Sequence, residues 1–92
     1  MPEFVIEKSM PGLGSLSPLQ RDLSVRRSCS QLHGVMPDVE WVRSYLTESK
    51  CYCVFRAPSE QVLWDLIRQW DMEPPISISE VKQIAEPDTQ VE

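Results

Sequence analysis

The sequence predicts an α+β fold of the ferredoxin-like type, in which a four-stranded antiparallel sheet carries both helices on one face. Four short runs rich in β-branched and aromatic residues are typical of strands, and two amphipathic stretches between them have helical spacing. The two middle runs are separated only by Glu48-Ser49, a link short enough for a hairpin. The resulting order, βαββαβ with right-handed crossovers, is the split βαβ arrangement.

The first strand and the first helix occupy the N-terminal part of the chain. Residues 3–8 alternate in the manner of a strand, and the Pro and Gly residues after them end it. Ser17 is suited to cap a helix and Pro18 to be its first residue, while Gly34 favours the end of that helix. The apolar residues that recur at helical spacing are Val25, Cys29 and Leu32. These signals predict a helix over residues 18–33.

The second half of the chain begins with the hairpin, whose strands we predict at residues 39–47 and 50–57. Ser59 can then cap a second helix, which ends before a Pro-Pro pair. The apolar residues on the single wide face of this helix are Val62, Leu63, Leu66, Ile67 and Trp70. Residues 76–84 alternate again and predict the last strand.

Chain length and composition favour one hydrophobic core. The 92 residues contain 41% hydrophobic and 25% charged residues, which is typical of soluble globular proteins. We therefore expect a single domain over residues 1–92, with a polar tail from about residue 86. A core of this size gives only modest stability, so we also expect a homodimer.

The charge and the termini exclude several partners. The net charge is −5, and the nine Lys and Arg residues are scattered, so we expect no nucleic acid partner. No segment reaches the roughly 18 apolar residues of a membrane span, and residues 1–8 lack the apolar part of a signal peptide. Three cysteines do not make a disulfide framework, so the expected compartment is the reducing cytoplasm.

Alternation along the strands predicts which side chains share the open face of the sheet. On the second strand, Val42, Ser44 and Leu46 are expected to face the helices. The opposite side mixes rings and charges, which suits a ligand or a dimer surface, and acidic residues of the outer strands can balance its arginines. The residues predicted for this surface are Glu7, Trp41, Arg43, Tyr45, Tyr52, Arg56 and Glu80. The alternative is a layer of solvated or dimer-spanning salt bridges.

The cysteines and the single histidine are the candidates for a metal site. Cys29 and His33 are four residues apart on the first helix and can offer a thiolate and an imidazole to a soft or borderline ion. Cys53 can join Cys29 across the core, whereas Cys51-x-Cys53 lacks the turn geometry of a C-x-x-C zinc motif. The alternative is that these cysteines are small core residues.

Enzymatic chemistry finds little support in the sequence. The chain has one histidine, no G-x-S-x-G motif and no glycine-rich phosphate loop, and no carboxylate pair is placed in a predicted cleft. We therefore expect a non-enzymatic binding protein. The alternatives are a structural or protein-interaction module and a dimeric α/β-barrel-type enzyme.

One long run resembles a known family. Residues 41–58 read W-V-R-S-Y-L-T-E-S-K-C-Y-C-V-F-R-A-P, and the likeness extends to residues 4–8, 16–18 and 78–81 and to Ser28-Cys29. This sequence resembles a small bacterial family of nickel-binding, ferredoxin-like proteins, most of whose members are known only as a domain of unknown function. The resemblance implies the βαββαβ fold, a homodimer and a nickel or other transition-metal ion.

The chain differs from the family pattern in its second helix. Many members have a histidine in the first half of this helix, where the present sequence has Leu66. This difference favours the alternative of a structural or interaction module without a metal.

Overall fold

The computed structural model describes residues 1–35, 38–69 and 72–87, except that the side chains of residues 31–35 lie outside the description. The described residues form seven segments of regular structure. They are β1 (Glu3–Ser9), a 3₁₀ turn (Leu13–Ser15), α1 (Pro18–Val35), β2 (Glu40–Leu46), β3 (Lys50–Arg56), α2 (Glu60–Gln69) and β4 (Ser77–Glu80). The predicted order βαββαβ is confirmed.

The four strands form one antiparallel sheet in the order β2-β3-β1-β4. β1 is central and pairs with β3 over its whole length and with β4 over residues 4–7. β2 pairs only with β3 in this sheet and forms one edge. This topology is consistent with the predicted ferredoxin-like fold.

Serine residues cap both helices, as their positions predicted. Ser17 Oγ accepts from the backbone N–H of Gln20 at 3.2 Å, while Gln20 Oε1 accepts from the backbone N–H of Ser17 at 3.3 Å. This reciprocal pair is a capping box. At the start of α2, Ser59 Oγ accepts from the backbone N–H of Val62 at 3.3 Å. The caps satisfy amides that have no partner inside the helix.

The core lies between the two helices and one face of the sheet. The sheet contributes alternate residues to it, and both helices contribute one face each. Its buried members from these elements are Phe4, Ile6, Val25, Cys29, Cys51, Cys53, Phe55, Leu63, Leu66, Ile67 and Ile78. Full burial of one Leu, Ile or Phe side chain contributes about 1.5–3 kcal/mol. The opposite face of the sheet, here called the open face, carries neither α1 nor α2.

The bounds of α1 and β4 differ most from the predictions, whereas those of β1, β2 and β3 differ by one residue. α1 continues through Gly34 to Val35, because a glycine inside a helix costs only about 1 kcal/mol relative to alanine and does not by itself end it. β4 covers residues 77–80 rather than 76–84, since only residues 4–7 of β1 lie opposite it. Within the described residues, neither helix is both long and apolar enough to cross a membrane.

Candidate functional site

The three cysteines meet in the core, where α1 lies against the sheet. Cys51 and Cys53 are two residues apart on β3, so both point toward the helices, and Cys29 approaches them from α1. Cys29 Sγ lies 3.8 Å from Cys53 Sγ, and Cys51 Sγ lies 3.1 Å from Cys53 Sγ. All three are free thiols with 1–4% of their surface exposed. We call Cys29, Cys51 and Cys53 the thiol cluster.

Hydrogen bonds within the thiol cluster make its members unequal. Cys29 donates to the sulfur of Cys53, and together with the contact from Cys51 this lowers the pKa of Cys53. The same contacts raise the pKa of Cys29 and of Cys51, and burial raises them further because a charged sulfur is poorly solvated in the core. When one proton leaves the cluster, the negative charge is therefore held best on Cys53.

Ser44 and Trp41 of β2 adjoin the thiol cluster. Ser44 is paired with Cys53 in the β2–β3 ladder, and its Oγ lies 3.9 Å from Cys29 Sγ. Trp41 donates its indole N–H to Ser44 Oγ, with a distance of 3.0 Å between Nε1 and Oγ. Ser44 also acts to lower the pKa of each cysteine, since a hydroxyl near sulfur stabilises the thiolate.

The predicted placement of Trp41 on the open face is wrong. In the β2–β3 ladder Trp41 lies opposite Phe55 and Arg43 lies opposite Val54, so Val42 is an extra residue in β2. This bulge interrupts the alternation, because two residues of one strand then oppose one residue of the other. Trp41 consequently lies on the helix side and packs against the core.

A small cavity reaches the thiol cluster from the side of β1. Its volume is about 130 Å³, and it combines sulfur-bearing side chains with one cationic and one anionic residue. The residues that line it are Lys8, Ser9, Met10, Val25, Ser28, Cys29, Cys51, Cys53 and Glu73. A second cavity of about 350 Å³ lies on the β2 side and is lined by Cys29, Ser30, Glu40 and Trp41. Cys29 therefore borders cavities on two sides of the cluster.

The distances within the thiol cluster test its fit to a metal. Two sulfurs bound to one tetrahedral ion at about 2.3 Å each lie about 3.8 Å apart. The pair Cys29 and Cys53 has this separation, whereas Cys51 at 3.1 Å from Cys53 is too close for the same geometry. Among the described side chains, which are those of residues 1–30, 38–69 and 72–87, no group of three or more His, Cys, Asp and Glu is arranged to hold an ion. Only the sulfurs of Cys29 and Cys53 therefore have the separation expected of two ligands of one tetrahedral ion, and such an ion would need further ligands.

No ligand distance can be given for His33, the predicted nitrogen ligand. Its backbone belongs to α1, but its side chain lies outside the described residues. The structure brings together the predicted ligands Cys29 and Cys53.

A second group of polar side chains lies on the open face. Lys50 donates to Glu7 at 3.0 Å, and Ser77 donates to the same carboxylate at 3.4 Å. The hydrogen bond from Lys50 and its positive charge lower the pKa of Glu7, and the same hydrogen bond and the negative charge of Glu7 raise the pKa of Lys50. Five of the predicted surface residues share this face, namely Glu7, Arg43, Tyr45, Tyr52 and Arg56.

Further polar contacts cross the same face. Arg56 forms ion pairs with Glu3 at 3.2 Å and with Glu40 at 3.3 Å, so it joins three strands. Arg43 donates to Tyr45 Oη at 3.3 Å, and this hydrogen bond raises the pKa of Arg43. Ion pairs therefore connect neighbouring strands on the open face.

Glu80 is the second residue whose predicted placement is wrong. It lies opposite Phe4, a core residue, and cross-strand neighbours project to the same side of a sheet. Glu80 therefore belongs to the helix side at the edge of β4, where it pairs with Lys82 at 3.6 Å.

Sequence reasoning missed Ser44 and Cys51 as parts of the site. The sequence predicts Ser44 only as a residue on the helix side, and the C-x-C spacing argues against Cys51 as a metal ligand. The signal available was that Cys51, Cys53 and Phe55 share one side of β3.

These features define a small ferredoxin-like α+β protein with a buried thiol cluster beneath its first helix. Comparison with protein families matches residues 4–81 to the family described as nickel responsive protein SCO4226-like. The chain belongs to this family. The family description names a response to nickel and no enzymatic activity. Comparisons with curated proteins and with solved structures gave no match.

Proposed function

We propose that the chain is a non-enzymatic homodimeric protein that binds a transition metal through Cys29 and Cys53, nickel being the ion that its family description names. The observation that carries the proposal is the separation of 3.8 Å between the two sulfurs, which a shared tetrahedral ion requires. Thiolates suit soft and borderline ions, and the charge of the thiol cluster is held best on Cys53.

Such a site would couple metal binding to the packing of the fold. Cys29 belongs to α1 and Cys53 to β3, so an ion held by both would tie the helix to the sheet. A ligand that binds only the native state stabilises it by mass action. Nickel would therefore act on this protein by stabilising the contact between α1 and β3.

The ion needs more ligands than two sulfurs. His33 follows Cys29 by one helical turn, which is the spacing that places two side chains on the same side of a helix. In the proposed homodimer, the second copy is another source of ligands. We propose that His33 is the third ligand of the ion and binds it through a ring nitrogen.

Metal titration of the reduced protein tests the proposal. With Ni²⁺ at one hundred times the dissociation constant, the native state gains about 2.7 kcal/mol and the melting temperature rises. The bound metal is counted in parallel by elemental analysis after gel filtration. The double variant Cys29→Ser/Cys53→Ser should lose both the bound Ni²⁺ and the rise in melting temperature.

Cys51→Ser is the matched control, because Cys51 is equally buried and lies two residues from Cys53. This variant should keep Ni²⁺ binding. A wild-type protein that binds no Ni²⁺, or a double variant that binds it as well as the wild type, would contradict the proposal.

The second candidate function is an interaction module without a metal site. It is favoured by the finding that the described residues contain no three-ligand group, and by the buried Leu66 in the second helix. The same titration separates the two candidates, since an interaction module would show neither bound Ni²⁺ nor a change in melting temperature.

A further inference from the structure

The sulfurs of the thiol cluster are arranged around Cys53. Its Sγ lies 3.8 Å from Cys29 Sγ and 3.1 Å from Cys51 Sγ, and all three residues are free cysteines. Two neighbouring thiols form a disulfide when an oxidant reaches one of them and the second displaces the oxidised group. The cluster is therefore arranged for thiol oxidation, a reaction that requires no metal ion.

Strand geometry decides which two cysteines can be bonded. Cys51 and Cys53 are two residues apart on β3, so their Cα atoms are about 6.6–6.8 Å apart and their Cβ atoms point the same way. A disulfide needs Cβ atoms within about 3.5–4.5 Å of each other, which parallel Cβ directions at this spacing do not allow. The bond between Cys51 and Cys53 is therefore excluded by the strand.

Cys29 approaches Cys53 from a different element and is not bound by this limit. Its sulfur must move from 3.8 Å to the bonding distance of about 2.05 Å, an approach of roughly 1.8 Å. Rotation of the two side chains contributes to this approach, and packed helices shift by about 1–2 Å when proteins switch between states. A small movement of α1 against the sheet is therefore sufficient to bond Cys29 to Cys53.

The cavity of about 130 Å³ leads to these buried sulfurs. All three cysteines line it, together with the polar side chains of Lys8 and Ser28. An ammonium group has three protons to donate and a hydroxyl has lone pairs to accept, so both can hold a small polar molecule. Hydrogen peroxide is small and polar enough for such a cavity, whereas a disulfide between two tripeptides, such as oxidised glutathione, is too large to enter it.

We propose that hydrogen peroxide, or another small hydroperoxide, oxidises the thiol cluster to a disulfide between Cys29 and Cys53. In the first step, an electron pair of the Cys53 sulfur forms a bond to one peroxide oxygen. The O–O bond breaks, and the thiol proton leaves with the other oxygen as water or an alcohol. In the second step, the Cys29 sulfur attacks the sulfenic acid of Cys53. The S–O bond breaks, and the hydroxyl group leaves with the proton of Cys29 as water.

Two thiols thus pass two electrons to one hydroperoxide, and the product ties α1 to β3 by a covalent bond. The inference concerns the metal-free protein and does not depend on the proposed function.

Oxidation of the reduced, metal-free protein tests the proposal. After treatment with hydrogen peroxide in the presence of a chelator, one of the three thiols should remain free and the protein should lose the mass of two hydrogen atoms. Dithiothreitol should restore all three thiols, and peptide mapping by mass spectrometry should find Cys29 joined to Cys53. Oxidised glutathione applied for the same time should leave all three thiols free, because it does not fit the cavity.

Cys51→Ala is the matched control, because it removes an equally buried sulfur and keeps the reacting pair. It should form the disulfide between Cys29 and Cys53 as the wild type does. Cys29→Ala should form no disulfide and should stop at the sulfenic acid of Cys53, which dimedone traps. Circular dichroism checks that both variants are folded, and the peptide map of the wild type is independent of either variant.

The outcomes separate this inference from the proposed function. Three free thiols in the treated wild type, a disulfide between Cys51 and Cys53 or between two copies of the chain, or equal reaction with oxidised glutathione would each overturn it. A wild type that binds Ni²⁺ but resists peroxide would overturn the oxidation and leave the metal site standing. A wild type that forms the disulfide but binds no Ni²⁺ would support the oxidation and overturn the metal site.

Discussion

Trp41 donates its indole N–H to the hydroxyl of Ser44 across a β-bulge, with 3.0 Å between Nε1 and Oγ. In a regular strand these two residues would lie on opposite faces, and the extra residue Val42 brings them to the same one. The hydrogen bond therefore depends on the extra residue in β2 as well as on the side chains of Trp41 and Ser44.

Deletion of Val42 should restore the regular alternation and turn Trp41 toward the open face. Because Trp41 packs against the core, we expect the free energy of unfolding to fall by roughly 2–4 kcal/mol, in the range of large core truncations. Urea denaturation measures this loss, and near-ultraviolet circular dichroism reports the new surroundings of the ring. Val42→Ala keeps the bulge and should cost under about 1 kcal/mol. Equal stability of the two variants would contradict this account of the bulge.

Leu66 is one of the buried side chains through which the second helix should contribute to stability. This side chain is 1% exposed and packs in the core, so Leu66→Ala should lower the free energy of unfolding by about 2–5 kcal/mol. Leu23 of α1 is the matched control, because it is 48% exposed and Leu23→Ala should change stability by under about 0.5 kcal/mol. Chemical denaturation of the two variants under identical conditions measures both values. Similar losses in the two variants would show that α2 is not packed as described.

Stability should depend on pH through Glu7 and Lys50. The neighbouring ammonium lowers the pKa of Glu7 from its ordinary value of 4.5, so the stabilising effect is present above pH 4.5 and is lost as the pH falls through the lowered value. The pKa of Lys50 is raised from 10.5, so its contribution is present below pH 10.5 and is lost as the pH rises through the raised value.

Glu7→Gln removes the charge and should flatten the acid side of this dependence. The melting temperature is followed from pH 2 to pH 7 for both proteins. Both groups are accessible to solvent, so the difference should be small and should shrink further in 1 M salt, where the screening length is about 3 Å. An acid limb that is identical in Glu7→Gln and in the wild type would exclude a role of the pair in stability.

The sequence predicted local structure better than the relations between elements. Residue type alone identified the caps Ser17 and Ser59, because the cap uses atoms of the serine and of the next few residues. The bulge at Val42 has no such signal, since every residue around it is compatible with a strand and the insertion is visible only in the pairing with β3. Glu80 was misplaced for the same kind of reason, because the register of β4 against β1 decides its side.

In the thiol cluster too, the sequence predicts the local positions of the cysteines but not the distances between their sulfurs. Alternation predicted that Cys51 and Cys53 share a side of β3, and helical spacing predicted that Cys29 faces the core. That Cys29 Sγ, like Cys51 Sγ, comes within 4 Å of Cys53 Sγ depends on how α1 packs across the sheet. Packing of this kind is set by the shapes of many side chains together and cannot be obtained from periodicity.

The proposed homodimer leads to a prediction about Tyr45. Its side chain is 55% exposed on the open face beside Arg43, and Tyr and Arg are enriched in protein interfaces. If the open faces of two copies pack together, Tyr45→Lys should raise the dimer dissociation constant at least about tenfold, which corresponds to about 1.4 kcal/mol. Sedimentation equilibrium over a range of protein concentrations measures this constant.

Leu19→Lys is the matched control for this experiment, because Leu19 is an apolar side chain that is 67% exposed on α1, away from the open face. A dimer that dissociates in Leu19→Lys and not in Tyr45→Lys would place the interface on the first helix instead. A wild type that sediments as a monomer would exclude the homodimer itself. If the interface lies on the first helix, the open face is exposed to solvent in the dimer. Arg43 and Arg56 then belong to a solvated layer of polar contacts, which is the alternative interpretation of this face.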